Sequence, residues 1–161
     1  MMPNIKEILN KSKYIHILKI AGTIGKDMGI KTYIVGGYIR DVILNRELKD
    51  IDIMVEDMVF DFSNKLAKKL KVKKLIKFEK FHTVRIPFKE CEIEVANART
   101  ETYNNKSRKP DTVTFSTIEN DLIRRDFTIN SLASSIIKDN FGELIDSFDG
   151  IKDLNSGIIN T

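Results

Sequence analysis

The sequence predicts an α/β (α+β) domain, a sheet flanked by helices, and three stretches carry that expectation. Residues 33–44 pass from a β-prone apolar run (Tyr33, Ile34, Val35) through Gly36-Gly37 to a helical pattern in Ile39, Val42, Ile43 and Leu44. That is strand, tight turn, helix. Residues 50–55, DIDIMV, alternate polar and apolar at the strand period before a wholly apolar end, which sends Asp50 and Asp52 to one face. Thr83–Phe88 and Glu92–Val95, joined by a short Lys89-Glu90 turn, read as a hairpin.

The other elements follow in order. Residues 5–29 read as an amphipathic helix or helix pair with Ile5, Ile8, Leu9, Ile15, Leu18 and Ile20 as apolar contacts, ending at Gly29. Its AGTIGKD end is not a P-loop: too few residues separate Gly22 from Gly25-Lys26, and Asp27 stands where a hydroxyl would have to hold a metal. Residues 65–80 carry eight lysines and one acid, Glu79. They read either as a track for an RNA backbone or as the solvated face of a helix whose Phe62, Leu66 and Leu70 are buried. A strand is expected over Lys73–Phe78 and a long basic loop over 100–112. Residues 117–134 read as helical, with Ile118, Leu122, Ile123, Phe127, Ile129 and Leu132 forming an apolar face around Arg124-Arg125-Asp126. A strand at Ser135–Lys138, an acidic turn, Leu144–Phe148 and a helical turn near Ile151–Leu154 close the chain.

A chain of 161 residues suits one domain with a sizeable core. No apolar run approaches the ~20 residues of a membrane span, and no secretory signal is present. The single cysteine, Cys91, excludes an internal disulfide framework, so the cytoplasm is the expected setting. A net charge of +4 is mild support for a polyanionic partner.

The chemistry concentrates at 34–55. Glycines lack Cβ atoms and let the backbone approach a polyphosphate, while a helix start offers free N–H donors, and Arg40 adds a forked donor. Two carboxylates held about 4 Å apart at an effective dielectric of about 20 repel by about 4 kcal/mol, so such a pair shares a proton or a cation. Hard oxygen ligands beside a phosphate cradle select Mg²⁺, and two such ions serve an in-line displacement at phosphorus. The plain alternative is that Asp50 and Asp52 are the solvated face of an edge strand. His16 and His82 stand apart from other metal-type ligands and read as structural, and Cys91 as a core or edge thiol.

Four ordered blocks, VGGYIRDVILNRELKDIDIMV, CEIEVANARTETY, KSRKPDTVTFSTIENDLIRRDFTINSLA and LIDSFDGIKDLNSGII, resemble the head domain of bacterial-type (class II) tRNA nucleotidyltransferases and poly(A) polymerases. The resemblance covers about residues 30–161 and implies a nucleotidyltransferase (polymerase beta-like) fold, a mixed sheet flanked by helices. Residues 1–29 are then an N-terminal helical segment packing on a head at 30–161, with the family's neck, body and tail absent. The implied reaction is transfer of CMP or AMP from CTP or ATP to an RNA 3′-hydroxyl, tRNA CCA addition above all, with Mg²⁺ in two ions as cofactor.

Carried over by motif, the resemblance makes Asp50, Asp52 and Glu94 the metal-binding and catalytic carboxylates, although Glu92 shares a strand face with Glu94. It makes Gly36, Gly37 and Arg40 the triphosphate loop, with Asp41 orienting the turn and the arginine. It puts Arg125 at phosphate, and Asp126 and Asn130, four apart on one helical face, at the ribose and neighbouring nucleotide. The bland reading of Asp126 is an ion pair with a neighbouring arginine. Arg99, Arg108 and Lys109 would lie near the nucleotide or RNA end. The family's arginine near the last strand is replaced by Asn160. The alternatives are a poly(A) polymerase, a protein-nucleotidylating enzyme of the same fold, or a non-catalytic nucleotide- or RNA-binding module. A separate subunit could supply base reading and RNA grip.

Overall fold

The computed structural model describes residues 4–102 and 112–161, the side chains of 100–102 and 112–115 excepted. The chain runs α1 (Lys6–Asn10), α2 (Ile15–Met28), β1 (Thr32–Val35), α3 (Gly37–Ile43), β2 (Asp50–Val55), α4 (Val59–Lys69), β3 (Ile76–Phe78) and β4 (Thr83–Pro87). It continues through β5 (Glu92–Asn97), β6 (Arg99–Thr102), β7 (Thr112–Phe115), α5 (Ile118–Ile123), β8 (Ala133–Ser135), β9 (Leu144–Ile145) and α6 (Gly150–Ser156).

Alternation along β2 decides the layering. Ile51 and Ile53 are fully buried, whereas Asp50 and Asp52 are exposed. The apolar face of the sheet, with Ile34, Ile51, Ile53, Ile93 and Val95, packs against Ile17 and Leu18 of α2 and Phe62 and Leu66 of α4 in one core. A smaller cluster covers part of the opposite face, where Ile118 and Leu122 of α5 meet Tyr33, Val35 and Met54. Because α5 covers only that part, the neighbouring carboxylates stay open to solvent.

The strands form one mixed sheet in the order β3-β4-β5-β2-β1-β8-β9, with β6 and β7 as a separate two-stranded ribbon. Within the large sheet β2 and β5 run parallel, and every other pairing is antiparallel. β2 therefore lies in the interior, which removes the edge-strand reading of Asp50 and Asp52. The hairpin of β4 and β5 forms as expected and lays β5 along β2.

Four expectations need correction. The helix expected over 117–134 stops at Ile123. Thr117 caps its start by accepting from the Asn120 N–H, but Phe127 is extended and Thr128–Asn130 form a 3-10 turn. Tertiary contacts override the helical pattern here: Thr128 Oγ1 donates to Asp153 Oδ2 at 2.6 Å, and Gly150 packs so closely on the Thr128 carbonyl that a Cβ would collide. The Thr128 N–H donates to the Asn160 carbonyl at 3.0 Å, tying the end of the chain to this turn. The long loop at 100–112 is shorter than expected, because both its ends pair as β6 and β7. The strand expected at Ser135–Lys138 forms two residues earlier, where Ala133–Ser135 pair with β1. Ile8, expected as an apolar contact, is exposed, since a five-residue α1 buries only Leu9.

Smaller departures are the strand expected over Lys73–Phe78, which begins only at Ile76, and Ile123 and Phe127, which are exposed; other local signals hold. α2 ends on Gly29 in the left-handed conformation (φ +69°), as the helix stop predicts. Phe62 and Leu66 are buried, while Lys65, Lys68 and Lys69 are exposed. Among the described residues no helix is long and apolar enough to cross a membrane.

Candidate active site

The parallel register sets Asp50 opposite Glu92 and Asp52 opposite Glu94, so four carboxylates occupy adjacent places on one sheet face. Like charges on neighbouring strands repel, and the sheet answers with arginines. On β4, Arg85 lies opposite Glu94, its Nε 3.3 Å from Glu94 Oε2 and 3.3 Å from Glu92 Oε1. A cavity of about 150 Å³ opens beside them, and its polar lining is Asp52, Glu94, Thr83, Arg99, Arg124 and Arg125. Asp50, two residues before Asp52 on the same face, does not line it.

Asp52 carries the electrostatic consequence. Desolvation, then Glu94, push its carboxyl up from 3.8 to about 6, with Asp50 and Glu92 adding to the rise and Arg125 opposing it. A carboxylate whose ionisation is resisted by other carboxylates is one that a cation relieves.

The arginines are held from behind by a residue that the sequence patterns did not single out. Asp121, on α5, is fully buried and accepts from the Arg99 backbone N–H (3.1 Å), Arg124 Nη2 (3.0 Å) and Nε (3.2 Å), and Arg125 Nη2 (3.4 Å). A charge placed between Ile118 and Leu122 on an apolar helix face, three and four residues before two arginines, is the signal that could have marked it. Among the described residues the Arg125 Nε is buried with no hydrogen-bond partner. Such an orphaned cationic donor, in a side chain lining a cavity, suits an anionic oxygen.

Gly36 sits directly against this group. It holds φ +65° and ψ −128° at the start of α3, and a Cβ there would lie 3.1 Å from Arg125 Nη1. A Cβ on Gly37 would lie 3.3 Å from Arg40 Nη2. Arg40 forks onto Asp41, Nε to Oδ1 at 2.8 Å and Nη2 to Oδ2 at 3.1 Å, while its Nη1 donates to Asn130 Oδ1 at 2.8 Å. Asp41 thus orients the arginine as expected, and Arg40 joins the glycine turn to the 3-10 turn of Asn130 rather than lining the cavity.

Asp126 and Asn130 do not share a helical face, because an extended residue separates them. Asp126 is exposed, and the ion pairs of Arg124 and Arg125 among the described residues run to Asp121. Arg99 lines the cavity with Asp52. Arg108 and Lys109 lie outside the described residues. His16 is exposed, and the His82 ring packs on Phe60 at 5.6 Å between centroids. Burial pushes the Cys91 thiol up to about 11, with Asp50 and Glu90 adding to it, so it is a poor nucleophile near neutrality.

The family model described as the poly A polymerase head domain matches residues 32–160. The chain belongs to this family. Similar proteins include the A-adding tRNA nucleotidyltransferase of Aquifex aeolicus, 38% identical over 130 residues that make up 81% of this head-domain chain and 16% of the relative. The CCA-adding enzyme of Enterococcus faecalis is 37% identical over 132 residues, 81% of this chain and 30% of the relative. A solved CCA-adding enzyme in apo form II superposes with a TM-score of 0.88 and 34% identity, covering 100% of this chain and 39% of that one. The Thermotoga maritima CCA-adding enzyme complexed with tRNA superposes at 0.84 with 33% identity, covering 100% and 36%. The head-domain chain thus spans well under half the length of these relatives, and its mixed, helix-flanked sheet is the nucleotidyltransferase fold that the sequence motifs imply.

Enzymes of this family are generally metal-dependent. The candidate ligands Asp50, Asp52 and Glu94 offer carboxylate oxygens, which suit a hard divalent cation. Among the described residues no group of three His, Cys, Asp or Glu side chains is gathered tightly enough to hold an ion. Glu94 bonds Arg85 instead.

Proposed function

We propose that this head domain transfers CMP or AMP from CTP or ATP to the 3′-hydroxyl of an RNA, the 3′ end of tRNA above all. The hydroxyl oxygen forms a bond to the α-phosphorus, the bond to the bridging oxygen of the β-phosphate breaks, and pyrophosphate leaves as the hydroxyl proton passes to solvent. The observation that carries the reading is one cavity lined by Asp52 and Glu94 together with Arg99, Arg124 and Arg125. Carboxylates for a cation and arginines for phosphates meet where a nucleoside triphosphate presents both needs.

Asp50, Asp52 and Glu94 would hold Mg²⁺, in two ions, and the bound metal supplies Lewis acidity at the attacking and leaving oxygens. The chain's own residues bind and orient. Asp121 holds the guanidiniums of Arg124 and Arg125 and the backbone of Arg99 beside the triphosphate, the missing Cβ of Gly36 leaves Arg125 in place, and Arg40, itself held by Asp41, braces Asn130 directly. Asp126, exposed beside Arg125, is the group available to a ribose hydroxyl. Solved relatives complexed with tRNA and with CTP support the choice of substrates, and the cytoplasm is the setting that such substrates suit. A further domain or separate subunit would read the base and grip the RNA.

The test is incubation with labelled CTP and ATP, Mg²⁺ and tRNA lacking its 3′ end, alone and with cell extract. Label on the RNA that requires Mg²⁺ and is lost in Asp52→Ala and Asp50→Ala is the expected result. Label on protein with unextended RNA would favour protein nucleotidylation. No transfer under any condition, with intact nucleotide binding, would leave a binding module.

A further inference from the structure

Glu94 lines the cavity with Asp52, yet it is already occupied. Arg85 on β4 lies directly across from it and shares one guanidinium between Glu94 and Glu92, each at 3.3 Å. The same guanidinium sits over the Phe78 ring, 5.2 Å from its centroid, which gives it a platform on β3. Neither contact buries the pair: the Arg85 side chain is 47% exposed and that of Glu94 is 39% exposed. A carboxylate oxygen that accepts from an N–H cannot give the same lone pair to a cation, so a cation entering beside Asp52 competes with Arg85 for Glu94. Glu92, which is outside the cavity lining, keeps the arginine paired when Glu94 is taken.

We propose that Arg85 is a positioning residue that occupies Glu94 as an internal counter-ion and sets the divalent-cation affinity of the site by competing for that carboxylate. The inference rests on the metal-dependent reading above. It predicts a site that binds its cation more weakly without a nucleotide than with one, because the apo carboxylates are already partly neutralised.

The test is direct Mn²⁺ binding, by paramagnetic resonance and calorimetry, to the nucleotide-free chain and to Arg85→Gln, Glu94→Gln and the double variant. Thermal melting without metal shows first that each is folded. Arg85→Gln should tighten Mn²⁺ binding about two- to fivefold, the range set by an exposed ion pair, and Arg85→Lys should lie nearer the wild type. In the Glu94→Gln background the same change should have no effect, because the competition has lost its object. Tightening that persists in Glu94→Gln would show a general field effect and overturn the proposal, as would unchanged or weaker binding by Arg85→Gln. Mn²⁺ binding by none of the proteins overturns the metal-dependent reading together with this one, whereas wild-type binding that Arg85→Gln leaves unaltered overturns this one alone.

Discussion

With its ordinary value of 3.8 raised to about 6, the Asp52 carboxyl is protonated more readily in the folded chain than in the unfolded one. Folding therefore favours the neutral form. The resulting penalty is absent below about pH 4, grows between about pH 4 and 6, and is complete above about pH 6. Asp52→Asn should abolish transfer yet raise the melting temperature at pH 7.5 while leaving it nearly unchanged at pH 4. The side chain reaches solvent, so screening keeps the gain small. Melting curves at the two pH values without divalent cation decide it, and an equal shift at both would remove the electrostatic account. Asp121 should behave in the opposite way. It is buried, paired with Arg124 and Arg125 and bonded by the Arg99 backbone N–H, and Asp121→Asn should cost about 3 kcal/mol, the lower end for a broken buried pair because the arginines can reach solvent. That corresponds to a fall in melting temperature of about 6–12 °C for a chain of this size. ATP affinity should fall as well, since Arg99, Arg124 and Arg125 lose their common anchor, and calorimetry can read both effects.

The turn between β1 and α3 is the element on which the arginine side depends. At φ +65° a side chain is strained by about 1–3 kcal/mol, and at position 36 its Cβ would also press on Arg125. Gly36→Ala should therefore weaken ATP binding more than it lowers thermal stability; a variant that binds ATP as the wild type does would separate this turn from the phosphate site. α4 makes the contrasting case. Its Phe62 and Leu66 share a core with Ile51 and Ile53, which puts the helix on the sheet face opposite the carboxylates. An RNA end entering the cavity would not lie along Lys65, Lys68 and Lys69. Replacing all three by Gln should leave stability within about 0.5 kcal/mol and leave the salt dependence of RNA binding unchanged. A shallower slope of affinity against salt would instead reveal phosphate contacts on that helix.

For the molecule as a whole, the cavity's polar groups are carboxylates, arginines and one threonine, which address metal and phosphate rather than a base edge. Discrimination between bases needs buried donors and acceptors that the wrong base leaves unpaired. The chain spans 16–39% of the relatives compared. On its own it should bind CTP and ATP with similar, weak affinity and extend RNA poorly, gaining selectivity when the regions found in longer relatives are added. Ordered C-then-A addition to tRNA by this chain alone at physiological salt would show a base-reading element inside the head.

How much could be read without coordinates follows from the range of each interaction. Alternation in DIDIMV and the glycine pair after Val35 are local signals, so β2, the turn at Gly36 and the shared face of Asp50 and Asp52 were legible directly. Glu94 was legible only through its motif, because Glu92 has the same period; the parallel register that sets Glu94 rather than Glu92 opposite Asp52 joins strands about forty residues apart. The end of α5 at Ile123 was hidden because the pattern beyond it is helical, and contacts to Asp153 and Gly150 outweigh that propensity. Asp121 and Arg85 were hidden for a related reason. Arg85 lies outside the four family blocks, Asp121 sits inside the third without an assigned role, and each matters through partners brought close by the sheet and by α5. Residue types and periodicity determine which groups exist and which face each strand presents; which carboxylate meets which arginine is settled by strand register and packing, which depend on the whole chain having folded.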